Sequence, residues 1–158
     1  MKKWTLTGLL VLFFGFGCFA RQKVDTLTGC ISELEYEVYN TVGITNFQNT
    51  TRAEPVSDYV QAQLEGLSSE TVADFRQKNR SSYVLSCLSR EAGKTTQLPQ
   101  STNENASISF SRTGFNRDKD EALLYILQSG NHCEAQFLLL KKNVGTWKVV
   151  KRVTTLVC

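Results

Sequence analysis

Histidine occurs once in this 158-residue chain, and that scarcity removes most of the familiar acid–base and metal chemistries. A catalytic triad built on an imidazole would have to use His132, which stands between Asn131 and Cys133 in a stretch that reads as a tight, exposed turn. No Gly-x-Ser-x-Gly elbow, phosphate-cradling glycine loop or His-Glu-x-x-His helix is present, so the local geometries that activate a serine or hold a nucleotide or zinc are not encoded. Cys-x-x-Cys and His-x-x-x-His are absent too. With no spacing to preset a coordination shell, neither a metal nor another cofactor is expected. A surplus of one charge is also missing: 18 Lys and Arg against 15 Asp and Glu give +3, which falls to +1 without Lys2 and Lys3. A nucleic-acid partner is therefore not indicated. The locally basic Lys141-Lys142 and Lys148, Lys151 and Arg152 read as a solvated strand face and hairpin end.

What the chain does have is an informative beginning. Lys2 and Lys3 precede an apolar run, Leu9 to Phe16, which gives way to Gly17-Cys18-Phe19-Ala20. A basic head, an apolar middle and a small-residue exit are what an export signal needs. Residues 1–20 are therefore read as a signal peptide, and residues 21–158 as the exported part. Three outcomes fit its end. Cleavage after Ala20 releases a soluble protein. Gly17-Cys18 also resembles a bacterial lipobox, in which Cys18 would be lipidated and anchor the chain to the membrane, although Gly15 stands where such a box prefers Leu. An uncleaved anchor is the third, and Trp4 to Ala20 lies at the short limit of the roughly 17–25 residues of a spanning helix. The expected location is a bacterial cell envelope, or the periplasm or medium.

Cysteine usage agrees with export. Cys30, Cys87, Cys133 and Cys158 make an even set for an oxidising compartment, and four cysteines allow three pairings. If the strand begun at Cys133 returns through Asn143-Val144-Gly145, Cys133 lies opposite Thr155 or Leu156, within a short curl of Cys158. That favours Cys133 with Cys158 and leaves Cys30 with Cys87.

The roughly 138 residues after the signal suit one domain. Its first half reads as helical. Ser32-Glu33-Leu34-Glu35 is a capping box, followed by Leu34, Val38 and Val42 at four-residue spacing and stopped by Gly43. Pro55 to Leu64 is a second predicted helix and Ser69 to Lys78 a third, with Asn79 as a left-handed stop. Ser82 to Leu88 fits helix or strand, and Gly93 to Asn105 reads as a loop. Beyond it the period becomes two. Strands are predicted around Ile108 and Phe110, over Ala122 to Gln128, over Cys133 to Leu140 and over Thr146 to Val157. The last places Trp147, Val149, Val153 and Val157 on one face, with Lys148, Val150, Arg152 and Thr154 on the other. The fold class is α+β: N-terminal helices packed as one layer on a C-terminal antiparallel meander of about four strands.

Carboxylates supply the remaining candidates for chemistry. Asp74 and Glu37, with Tyr36 or Tyr39 as proton donor, could perform acid–base work if partly buried; helix-surface solvation and ring packing are the simpler reading. Asp118 and Asp120 begin like a calcium loop, but Arg117 and Lys119 alternate with them and no downstream Glu completes it. Asn49-Thr50-Thr51, Asn79-Arg80-Ser81 and Asn105-Ala106-Ser107 have the form of glycosylation acceptors, which a bacterial source would leave unused.

The order Gly114-Phe115-Asn116, Ala122-Leu123-Leu124-Tyr125-Ile126, Cys133, Leu138-Leu139-Leu140-Lys141-Lys142 and Gly145-Thr146-Trp147-Lys148-Val149 resembles a group of uncharacterised exported bacterial proteins. Tyr36-Glu37-Val38-Tyr39 and Asp74-Phe75-Arg76-Gln77-Lys78-Asn79 are similar to earlier segments of that group. Its members carry a second cysteine soon after the first in this region, and the absence of one here implies a different pairing that recruits Cys158. At fold level the pattern is similar to cystatin-like and NTF2-like domains, an analogy that carries no function. The expectation is an exported, non-catalytic module that binds a protein or small ligand on the open face of its sheet. The alternatives are an NTF2-like cavity enzyme using Asp74 or Glu37 and, more remotely, a cystatin-like peptidase inhibitor.

Overall fold

The computed structural model describes residues 27–43, 50–52, 54–89, 95–97, 108–129 and 133–157. Residues 1–20, read as a signal peptide and including Cys18, the Asn-x-Ser/Thr triplets at Asn49 and Asn105, His132 and Cys158 all fall, in whole or in part, outside the described residues.

The chain begins with strand β1 (Leu27–Ser32) and runs directly into helix α1 (Glu33–Thr41). The capping box is complete: the Ser32 hydroxyl accepts the Glu35 N–H, and the Glu35 carboxylate accepts the Ser32 N–H. Helix α2 (Asp58–Gln63) starts three residues later than the proline suggested, because the Ser57 hydroxyl caps it by accepting the Val60 N–H at 3.3 Å. Helix α3 (Ser69–Lys78) has the predicted bounds, with Ser68 as its cap. Asn79 does not stop it in a left-handed conformation; its φ is −104°. Its side chain closes the helix instead, donating from Nδ2 to the Phe75 carbonyl at 2.9 Å.

Strand β2 (Tyr83–Ser89) settles the ambiguous segment, and a short strand β3 (Thr95–Gln97) lies inside the stretch expected to be loop. Together β1, β2 and β3 form a small sheet in that order, with β1 parallel to β2. The Cys30–Cys87 disulfide ties these two strands where they pair, Cα to Cα at 4.5 Å.

The second sheet contains β4 (Ile108–Phe110), β5 (Gly114–Phe115), β6 (Glu121–Gln128), β7 (Glu134–Asn143) and β8 (Thr146–Val157). Its order is β4-β6-β7-β8, with β5 also paired to β6 and every pairing antiparallel. The β7–β8 turn carries Val144 and Gly145 at φ 47° and 77°, the two positive values that a two-residue turn of type I′ requires. Residues 50–52 join the sheets: the Thr51 N–H donates to the Tyr83 carbonyl and the Arg52 N–H to that of Phe110, each at 2.8 Å.

The large sheet is buried on both faces, not covered by one helical layer. On the first face Ala122, Leu124, Leu138, Leu140 and Trp147 pack with Val38 and Tyr39 of α1 and with Ile31 and Leu85 of the small sheet. On the second, Leu123, Tyr125, Phe137, Leu139 and Val153 pack with Val60 of α2 and Phe75 of α3. This explains the nearly unbroken apolar runs of β6 and β7, since a strand covered on both sides has no solvent face to mark with polar residues.

Two β-bulges in β8 correct the expected alternation. The ladder pairs Leu140 with Val149 but Leu139 with Lys151, and Gln136 with Thr154 but Ala135 with Leu156. Val150 and Thr155 are thus extra residues. Paired residues share a face, so the first bulge puts Val153 opposite Phe137 on the second face, away from Trp147, and moves Arg152 onto the first. Each bulge also advances the register by one. The last pair in the ladder is Glu134 with Val157. Cys133 is disulfide-bonded.

Candidate functional site

Helix α1 has nine residues, about 14 Å at 1.5 Å each, whereas the ten residues of β7 extend about 33 Å. The helix ends at Val42, ahead of Gly43 at φ 75°. Beyond it, a strip of the first face is not covered by any described element. There the start of β4, the end of β6, the first half of β7 and the middle of β8 form a groove of about 200 Å³. Ile108, Ile126 and Leu138 give it an apolar floor, with Val42 as one wall. Gln128 and Gln136 add amides, and Glu134 and Arg152 add opposite charges. All the strand residues of the groove are on one face, as their pairings require: Ile108 with Gln128, Gln128 with Glu134, Ile126 with Gln136, and Leu138 with Arg152.

Arg152 differs from its basic neighbours. Lys142 is paired with Glu37 at 2.9 Å, Lys151 with Glu65 at 3.1 Å and Lys141 with Glu121. Arg152 is exposed and has no carboxylate partner among the described residues. Glu134 is half-buried, and one of its oxygens accepts a hydrogen bond from the Thr154 hydroxyl at 3.3 Å. The two charges share a groove without neutralising each other. The basic cluster read from the sequence as uniform solvated surface is therefore three engaged lysines, the exposed Lys148 and one unengaged arginine turned onto the groove.

The carboxylates singled out for acid–base work are not brought together. Asp74 lies on α3, where it accepts the Phe115 N–H at 2.8 Å and pairs with Lys78 at 2.8 Å. The same ammonium sits 4.8 Å from the centre of the Phe115 ring. Glu37 lies on α1, packed on the other face of the sheet; it pairs with Lys142 and accepts the Trp147 indole N–H at 3.3 Å. Tyr36 packs at the margin of the first-face core. Tyr39 is buried and donates its hydroxyl to the Ser111 carbonyl at 3.2 Å. Burial first, and the Glu35 charge second, push its phenol well above 10.0, so it keeps its proton where a donor would release it.

Asp118 and Asp120 stand in a turn organised by Asn116, whose side chain donates to Asp120 Oδ1 at 2.6 Å and accepts the N–H groups of Asp120 and Glu121. Among the described residues no group of three or more potential ligands converges. Asn79 is buried, with Nδ2 donating to the Arg112 carbonyl and Oδ1 accepting its N–H, both at 2.8 Å, which closes that sequon to a glycan.

Sequence reasoning missed two buried carboxylates. Glu35, read only as a cap, receives Arg112 in a two-pronged ion pair. Burial raises its pKa, but the Arg112 hydrogen bonds and charge, the Ser32 N–H and the Lys78 charge outweigh that and hold it below 4.5. Glu121 accepts the Ser68 N–H at 2.8 Å and the Thr71 hydroxyl at 2.6 Å, anchoring the start of α3 to the sheet. Burial raises its pKa too, and its bonds from Lys141, Thr71 and Ser68 bring it below 4.5. The local sequence signal for Glu35 was spent on the capping box, and nothing local points to Arg112.

Compared with family models, curated proteins and solved structures, the chain matches none of them. Fold and groove define an α+β protein with a disulfide and a strip of sheet that none of the described elements covers. Among the described residues no helix is long and apolar enough to cross a membrane.

Proposed function

We propose that this is an exported, non-catalytic binding module of a bacterial envelope or its surroundings, and that its ligand sits in the groove beyond α1. The observation that carries the reading is Arg152: an unpaired guanidinium placed by a β-bulge beside an apolar floor. Binding sites combine an apolar surface with a few convergent polar groups in this way. The cross-linking of Cys30 to Cys87 and the basic-apolar-small order of residues 1–20 support export to an oxidising compartment. Attachment through a lipidated Cys18 is part of the proposal. A cavity enzyme using Asp74 or Glu37 gains no support from their separate ion pairs, and no specific observation favours peptidase inhibition.

The test is an NMR fragment titration of the disulfide-bonded protein, following backbone amides. Shifts centred on Ile126, Gln136, Leu138 and Arg152 are expected, and fragment shifts confined to other surfaces would remove the groove from consideration. Intact mass of native material addresses export: a lipid adduct on Cys18 or a chain starting at Arg21 supports it, whereas a product retaining Met1 contradicts it.

A further inference from the structure

Resting on that reading, we infer that the ligand of the groove is a short peptide with free termini, its carboxylate on Arg152 and its ammonium on Glu134. The two charges mark the ends of one strip. Arg152 pairs with Leu138 in the ladder, and Glu134 lies four residues back along β7, a strand distance of about 13 Å. That length matches three to four extended residues. Gln136 lies between the ends and Gln128 stands beside Glu134 on the neighbouring strand; their amides both donate and accept and so suit peptide groups. Ile126 and Leu138 form the floor for one apolar side chain.

The arrangement of charge selects this occupant. A simple carboxylate would answer Arg152 and leave Glu134 unanswered at the far end of the strip; a simple cation would do the reverse. A zwitterion with an amide backbone answers every polar group in the strip. The groove asks for opposite charges at its ends and for little side-chain volume between them.

The experiment titrates the disulfide-bonded protein with the tripeptide Ala-Leu-Ala and with its N-acetyl, C-amide and doubly capped forms, by calorimetry and amide shifts. Loss of either terminal charge is expected to weaken binding about tenfold, as for a solvent-accessible charged hydrogen bond. Arg152→Gln should abolish the difference between acid and amide, and Glu134→Gln the difference between amine and acetyl form. Both side chains reach solvent, Arg152 has no carboxylate partner among the described residues, and Glu134 holds only the exposed Thr154 hydroxyl, which Gln can still accept, so the variants are expected to keep a melting temperature close to that of the wild type. Equal binding of all four peptides at the groove would overturn the recognition of termini while leaving the groove a binding site. Indifference to the N-terminal cap alone would replace the peptide with a monocarboxylate. Failure of every peptide to bind, beside fragments that do shift the groove, sinks this inference and spares the reading beneath it.

Discussion

Arg112 and Glu35 stand 77 positions apart and meet through two parallel hydrogen bonds, Nε to Oε1 at 2.7 Å and Nη2 to Oε2 at 2.8 Å. The pair joins the first turn of α1 to the segment linking β4 and β5, and Glu35 is only 1% exposed. The Arg112 guanidinium also lies 5.3 Å from the centre of the Tyr83 ring, drawing the small sheet to the same point. Removing one member strands a buried charge. Arg112→Met is expected to cost about 3–5 kcal/mol in urea unfolding, and adding Glu35→Met should restore most of it. A double variant no more stable than Arg112→Met would refute the view that stranded charge is the cause.

The pH dependence follows from the same groups. The folded pKa values of Glu35 and Glu121 lie below 4.5, so the unfolded chain binds their protons first. Their contribution is complete above pH 4.5 and disappears as the pH falls through the lower folded values. Tyr39 acts in the opposite direction: its folded value lies well above 10.0, so stability is intact below pH 10 and declines above it. Melting temperature against pH should thus fall at both extremes, and Tyr39→Phe should lessen the alkaline fall alone.

Gly114 lets α3 approach the sheet closely. A Cβ built on it would meet Phe75 Cβ at 2.5 Å and the Phe75 backbone nitrogen at 2.6 Å, distances with no room to relax without moving the helix. Gly114→Ala is expected to cost about 1–3 kcal/mol through overpacking, read as a lowered melting temperature. An unchanged melt would mean that α3 and β5 are not in this contact.

Replacing Cys30 and Cys87 together by Ala should lower stability by about 2–4 kcal/mol, because their bond closes a loop spanning 57 positions and restricts the unfolded chain. The large sheet does not contain either residue, so fluorescence of Trp147 in the first-face core should remain native-like below the transition. Peptide mapping of the wild type under non-reducing conditions is expected to recover Cys133 joined to Cys158.

Local patterns carried much of the fold. The capping box at Ser32, the bounds of α3 and the order of the C-terminal strands follow from short-range rules, in which a hydroxyl meets an amide three residues away or side chains alternate along a strand. Strand β1 was not legible, because six residues containing Thr28, Gly29 and Ser32 acquire their meaning from a partner more than fifty positions later. The faces of β8 were misread for a related reason: nothing in Val149-Val150-Lys151 announces that Val150 is an extra residue. The groove inherited that error, since it is the bulge that transfers Arg152 from one side of the sheet to the other.

The amino-acid order thus specified helices, strands, turns and the supply of cysteines, all consequences of interactions a few residues long. Which face each strand residue occupies, which acid meets which base, and which arginine is left over depended on how distant segments pack. Register and burial are properties of pairs of segments, and a single extra residue in one strand reverses the side of everything after it.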